Sequence, residues 1–445
     1  MTKPLSYLDI IPQQWAALIE AYEKLVPQDP YLHWDELEQK PEPDGISREA
    51  WWAALKLARS SHLRSISLRD RNGKSFVFCV PAGLSELLHR LDHDRVEAIV
   101  GPELSERAVA NALREESIAS AALAGVTGPD DNAREMLRTG GKPRDGGEQA
   151  IGNLYRALEV VGVRRDEPLS PGEIITLNKL IIKNTVSAPG GIRRSGEGSA
   201  VEGLAHAGGS QPISEEGRAQ CLEAMCAFAN GQTPDFFVHP LIRAVILHFW
   251  MLHARPFPAG NGRTARALFK RAVLHQGYPL FAFVAISPVL LRAPARYARV
   301  VQQVETDDND LTYFILHQAG AIREALGILR GRVARQTSEL REAGARFRGF
   351  AALNPRQQAV MAHALRTPDA RYLIAGHQHS HGVTHQTARD DLFDLARREL
   401  LTVVKAGRRY VFKVPADLAR RLQAAGGRRR VEAVSLSDEL PTNLL

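Results

Sequence analysis

Residues 251–269 read MLHARPFPAGNGRTARALF, and this stretch decides how the rest of the chain is read. Gly260 and Gly262 let the backbone turn its N–H groups inward, and the apolar spacing after them predicts a helix. A helix N-terminus behind a glycine turn attracts anions, because its first N–H groups and its dipole point at the ligand. Arg263 and Arg266 add guanidinium groups able to clamp phosphate oxygens. Ahead of the cradle stands Arg255-Pro256-Phe257-Pro258-Ala259. Chemistry on a bound phosphate wants a general base and a metal ligand there. Taken alone, a Gly-Asn-Gly turn is equally well the start of a helix with solvated arginines.

The wider sequence gives the turn its context. "HPLIRAVILHFWMLHARPFPAGNGRTARALF" (239–269), followed by "ETDDNDLTYFI" (305–315), resembles the Fic family. The resemblance extends to "WDELEQKPEPDGISREAWW" (34–52), to 112–155 and to the C-terminal module. The family signature is His-Pro-Phe-x-(Asp/Glu)-Gly-Asn-Gly-Arg with a second Arg beyond it. The resemblance implies a mainly helical Fic fold and, for most members, transfer of AMP from ATP to a protein hydroxyl. It implies nucleotide or phosphate contacts from Gly260, Asn261, Gly262, Arg263 and Arg266, with Arg255 added in this chain.

Two positions depart from that signature. Arg255 occupies the place of the His, which the resemblance makes the general base; a guanidinium is protonated at every accessible pH and cannot take a proton. Ala259 occupies the place of the Asp or Glu that the resemblance assigns to magnesium, and its side chain has no oxygen to offer. His253 is a candidate substitute base, but two residues turn a helical side chain by about 200°, so it is expected to face elsewhere. His248 on the same helix is read as structural. "EESIASAALAGVT" (115–127) resembles the family's inhibitory helix at Ser120, Leu123 and Gly125, with Ala124 where that helix carries Glu. The expectation is a site that binds ATP or another phosphate ligand without requiring magnesium and transfers nothing. The alternative is an active transferase that uses His253, substrate assistance or another phosphorylated donor.

Organisation follows from composition and periodicity. The 445 residues are 44% apolar, enough for several domains. Residues 1–95 read as a mixed module, with a helix near Gln14–Lys24, another near Arg48–Ser60 capped by Ser47, and a hairpin around Asn72-Gly73. Trp34, Trp51 and Trp52 are expected core anchors. Residues 96–335 form the Fic-like helical core, with the inhibitory-type helix at 112–125, a Gly- and Ser-rich flap at 186–213 and the motif at 253–266. The core shows helical spacing at 105–124, 148–161, 171–183, 214–229, 238–253, 262–276 and 310–334. The flap is where the resemblance places a protein target. A charged helical linker at 336–349 leads to a module at 350–415, and 416–445 read as a disordered tail.

In that last module two helical stretches precede "TVVKAGRRYVFKV", a hairpin turning at Ala406-Gly407, which together describe a winged helix-turn-helix. Between Phe350 and Arg430 there are fifteen Lys and Arg against six Asp and Glu, an excess of nine, whereas the whole chain carries +7. A basic module of this kind is expected to meet DNA, with Thr384, His385, Gln386, Thr387 and Arg389 toward base edges and Lys405, Arg408, Arg409 and Lys413 toward phosphates. Winged helices also serve as protein-docking modules, and Asp390 and Asp391 weigh toward that reading. "HQHSH" (377–381) has no carboxylate or thiol to close a metal site, so no metal is expected. A second copy of the chain is a further candidate partner. Leu241–Ala254 is interrupted by Arg243, His248 and His253, so no membrane span is expected. The three cysteines lack metal spacing and suit a reducing, cytoplasmic setting.

Overall fold

Capping side chains and first-turn prolines set many of the helix starts. Side chains of Ser47, Asp145, Ser170, Asn354 and Thr384 each accept an N–H of the helix they precede, and prolines open several first turns. The computed structural model describes residues 19–20, 22–24, 30–43, 45–70, 72–93, 105–126, 130–185, 192, 215–346, 353–367, 369–406, 409–418 and 420–422. The flap apart from residue 192, residues 423–445 of the expected tail, Arg408 and most of the expected helix near Gln14–Lys24 lie outside the described residues. The tail's first part is instead folded, with Leu418 and Leu422 buried in the second unit's core.

The elements run α1 Trp34–Leu37, α2 Arg48–Ser60, β1 Arg64–Arg69, β2 Ser75–Phe78, α3 Ala82–His93, α4 Ser105–Leu123, α5 Asp130–Thr139, α6 Gly146–Val163, α7 Pro171–Ile182, α8 Glu215–Ala229, α9 Pro240–Ala254 and α10 Asn261–His275. After a short 3-10 turn follow α11 Ser287–Arg292, α12 Pro294–Thr306, α13 Thr312–Arg346, α14 Pro355–Arg366, β3 Arg371–Leu373, α15 Ile374–His381, α16 His385–Arg397, β4 Thr402–Ala406 and β5 Arg409–Lys413. The fold is mainly helical. Periodicity located most long helices to within a few residues, but α13 runs on to Arg346 through the segment expected as a linker, and α1, α3, α5, α11, α12 and α15 were not read from it. No described helix is long and apolar enough to cross a membrane.

Contacts divide the chain into two compact units, Met1–Ala98 with Asn111–Gly327 and Ile99–Ala110 with Ile328–Leu445. The N-terminal hairpin thus shares a unit with the helical core. The reason is a polar seam. Val77 of β2 bridges Asp310 in parallel, with Val77 N–H donating to Asn309 O at 3.1 Å and Leu311 N–H to Val77 O at 2.8 Å. Asp308 and Asn309 both take positive φ, 58° and 62°, to shape that loop. Lys56 of α2 reaches Asp307 at 2.7 Å, and the hydroxyls of Tyr31 and Tyr313 donate to Asp310 and Asp307, each at 2.7 Å. Trp34, Leu37, Trp52 and Leu55 pack beside this seam as the anchors their composition suggested, with Trp51 partly buried against them.

In the second unit β3, β5 and β4 form an antiparallel sheet in that order. Phe412 of β5 packs with Leu392, Leu395, Val360 and Met361 from α14 and α16. α15 and α16 are joined by a short turn in which Gly382 takes φ +62°. A buried carboxylate ties the three helices together. Asp391 of α16 accepts from Asn354 Nδ2 at 2.7 Å and Arg356 Nε at 2.7 Å, and His377 Nε2 of α15 lies 3.2 Å from it. Burial would raise the Asp391 carboxyl, but Arg356, Asn354 and His377 together hold it below the usual range. Burial depresses His377, outweighing the pull of Asp391. Arg356 opposes protonation as well, and the His381 ring sits 4.5 Å from His377.

The folded unit therefore favours neutral His377. A depressed histidine contributes stability in full above its unfolded value of about 6.5 and loses it as pH falls toward the folded value. Amide hydrogen exchange in α15 and α16, corrected for the intrinsic rate, is expected to accelerate between about pH 7.5 and about pH 5. His377→Gln should remove most of that acceleration.

Candidate phosphate-binding site

The cradle is built at the junction of α9 and α10. α9 is buried on nearly every side, as its apolar run requires. It ends at Arg255, which takes a left-handed conformation (φ 43°, ψ 60°) and donates its N–H to Met251 O at 3.3 Å. The residue before a proline is driven out of the helical region, so Pro256 dictates the stop. Beyond it, the Asn261 amide grips the loop at two points. It accepts from Phe257 N–H at 3.0 Å and donates to Phe257 O at 2.7 Å. Asn178 of α7 donates to Ala259 O at 2.9 Å and to Thr264 Oγ1 at 3.2 Å.

Gly260 is fixed by two independent demands. Its φ is +79°, and a Cβ there would lie 2.7 Å from Ile182 Cγ2 and 2.9 Å from Asn178 Nδ2. α10 begins immediately after it without a side-chain cap. First-turn N–H groups have no acceptor within their own helix, so this end is the one able to meet an anion. Arg263 and Arg266 project from α10 and are 3% and 6% exposed. Burying guanidinium groups this deeply is unfavourable unless acceptors meet them.

For Arg266 the acceptors come from α4. Its Nε donates to Ser120 Oγ and its Nη2 to Ser120 O, both at 2.6 Å. The structure thus brings α4 and the second arginine together, through Ser120. That helix stops at Gly125, whose φ is +81°; Ala124 follows Leu123 in its closing turn and has no polar side chain. Glu116, one turn before Ser120, accepts the Ile286 and Ser287 N–H groups at 2.8 and 3.0 Å and so fastens α4 over α11. Lys270 is fully buried nearby and pushed down to about 8 by burial, with Glu116 opposing.

The family profile of Fic/DOC proteins matches residues 168–272, from the start of α7 through α10. This chain carries a Fic domain. It is similar to the protein adenylyltransferase Fic of Nematostella vectensis, 23% identical over 240 residues and 52% of each chain. The protein of that name from Culex quinquefasciatus is 27% identical over 94 residues, 21% of this chain and 17% of the other. Protein adenylyltransferase fic-1 of Caenorhabditis elegans is 23% identical over 167 residues, 38% of this chain and 30% of the other. The chain thus spans between about a sixth and about half of the curated relatives it matches. Among solved structures, a Fic family protein from Desulfovibrio desulfuricans aligns at 16% identity and TM-score 0.48, over 75% of this chain and 95% of that one.

Within the Fic domain Ala259 and Arg255 lie in different surroundings. Ala259 is 1% exposed, and its carbonyl accepts from Asn178. Arg255 is half-buried and donates Nε to Leu252 O at 3.2 Å. Burial lowers the pKa of its guanidinium, with Glu305 opposing. His253 points to the N-terminal hairpin. Its ring stacks on Phe249 at 5.8 Å and meets Phe76 edge-on at 5.0 Å, and Nδ1 lies 3.0 Å from Glu305 Oε1. His248 is fully buried against Phe269 and Phe314, with the Tyr297 hydroxyl 2.9 Å from Nε2. Sequence reading missed Asn178, Glu116 and Glu305. Their contacts bridge dozens of residues, so no local pattern marks them.

In the second unit, Thr384 caps α16 by accepting Thr387 N–H at 3.1 Å. Gln386 bonds Asp390 at 2.9 Å, and Arg389 lies over the Phe393 ring at 5.1 Å. Asp391 turns inward to Arg356 and His377, so its charge is not displayed beside them. Among the described residues no cluster of His, Cys, Asp or Glu suited to a metal occurs.

Gly260→Ala is expected to destabilise the Fic domain by about 2–5 kcal/mol, the sum of left-handed backbone strain and overpacking. A urea midpoint that fails to move would show that α7 and the turn can separate without loss. Asn178→Ala should not rescue the variant, since it leaves Ala259 O without its donor.

Proposed function

We propose that the Fic domain binds a phosphate-bearing ligand, ATP or another nucleotide, at the α10 N-terminus and does not transfer AMP. The observation that carries this reading is the pair Arg255 and Ala259 beside an otherwise built cradle. Arg255 is a cation in its αL turn and cannot accept a proton. Magnesium does not fit here as the family signature would hold it, because Ala259 has no side-chain oxygen and its carbonyl already accepts from Asn178. Arg255, Arg263 and Arg266 leave the site strongly positive, which favours phosphate even without a divalent ion. A protein hydroxyl at the flap would be a docking partner in this reading rather than a substrate.

A second reading keeps activity, and one observation favours it: His253 is held by Glu305 at 3.0 Å, as a carboxylate orients a base. Its packing against Phe76 and Phe249 directs it to the hairpin, which favours the first reading.

Incubation with labelled ATP and magnesium separates them. No self-modification is expected, and labelling abolished by His253→Ala would establish the second reading instead. Calorimetry should show nucleotide binding that EDTA scarcely changes. Arg263→Ala should weaken it by about 1.5–3 kcal/mol, the scale of charge-assisted hydrogen bonds.

We further propose that the second unit acts as a winged helix on DNA. α15, the Gly382 turn and α16 have the order of a helix-turn-helix, the β4–β5 hairpin follows, and the basic excess lies in the same segment. Full-length protein is expected to bind duplex DNA with an affinity that falls steeply with salt, since phosphate contacts release counterions. Arg389→Ala should narrow the gap between preferred and random sites by about 1–3 kcal/mol. Salt-independent binding, or none at low salt, would leave the module as a protein-docking surface.

A further inference from the structure

Strand register separates the two faces of the second unit's sheet. Phe412 is buried and pairs with the partly buried Tyr372 on one side, and both pack on the helices; its other partner, Val403, is on the edge strand β4 and is itself 40% exposed. Alternation along each strand then places Leu373, Val411 and Val404 together on the opposite face, directly opposed across three strands. Leu373 and Val404 are each 40% exposed, although both are large apolar side chains. Two residues along, on the same face, Arg371 pairs with Lys413 and Lys413 with Thr402, all three exposed. No Asp or Glu occurs in the three strands.

We infer that this outer face docks an acidic amphipathic segment of a partner protein. Its apolar side chains lie on the Leu373–Val411–Val404 row, and its carboxylates meet Arg371 and Lys413. Charge selects this occupant. A second copy docking through the same face would set cations against cations, and like charges across an interface are unfavourable. Duplex DNA would satisfy Arg371 and Lys413 but would place phosphates against an apolar row that gains nothing from them. An acidic amphipathic segment is the occupant that satisfies both rows. The inference stands independently of the phosphate cradle and shares only Lys413 with the DNA reading.

The test uses the full chain and a fluorescent amphipathic peptide of roughly five helical turns, a Leu stripe flanked by Glu. The comparison probe is the same peptide with Lys for each Glu. The Glu peptide is expected to bind on the order of tenfold more tightly than the Lys peptide. Val404→Asp and Leu373→Ser, both at exposed positions, should each reduce that affinity about tenfold without moving the thermal unfolding curve. Arg371→Glu combined with Lys413→Glu should reverse the preference toward the Lys peptide. Equal affinity for the two peptides, no binding to either, or insensitivity to Val404→Asp overturns the inference. It is also overturned if a DNA duplex or phosphatidylglycerol vesicles bind in a manner that Val404→Asp abolishes while the Glu peptide does not.

Discussion

The amide of Asn178 reaches from α7 to the carbonyl of Ala259 at 2.9 Å and to the Thr264 hydroxyl at 3.2 Å. The helix comes this near only because residue 260 has no Cβ. Both ends of the turn are therefore set by one buried side chain. The carbonyl before Gly260 is fixed, the first turn of α10 is fixed, and the loop between is gripped by Asn261 on Phe257. A helix N-terminus attracts an anion in proportion to how well its N–H groups stay aimed, so this packing is what turns a common glycine turn into a cradle.

Arg266 extends that rigidity to α4. A guanidinium 6% exposed is unfavourable without acceptors, and Ser120 supplies two of them, one from its hydroxyl and one from its carbonyl. Glu116 anchors the same helix to the start of α11. Helix α4 is thus held in place by the side chains of Glu116 and Arg266 and not by any side chain at residue 124.

What could be read in advance depended on the range of the interactions. The Asn72-Gly73 hairpin, the Ser47 cap and the helix after Gly260 rest on neighbours in sequence, and all formed where expected. The seam of Lys56 with Asp307 and Tyr31 with Asp310 joins groups about 250 to 280 positions apart, so a boundary near residue 95 was the natural inference from sequence. Asp391 shows the same limit from another side. On sequence it looked like a negative charge on a recognition helix; in the fold it is a buried hub for Asn354, Arg356 and His377. Charge counting cannot tell displayed from sequestered carboxylates, because that depends on which helix face packs.

Ala259 and Arg255 share a property that leaves the turn around them intact. Ala259 holds its place through its backbone carbonyl, and Arg255 ends α9 through its backbone N–H and its αL turn before Pro256. Neither contact depends on which side chain the residue carries. Gly260 and Asn261 are the opposite case. One needs the absence of a side chain, and the other uses both ends of its amide. Scaffold and chemistry are therefore carried by different atoms within one short loop. The side chains at 255 and 259 can therefore vary while the turn, the helix start and the arginines behind it keep their geometry, and that separation is the physical premise of the phosphate-holding, non-transferring site proposed above.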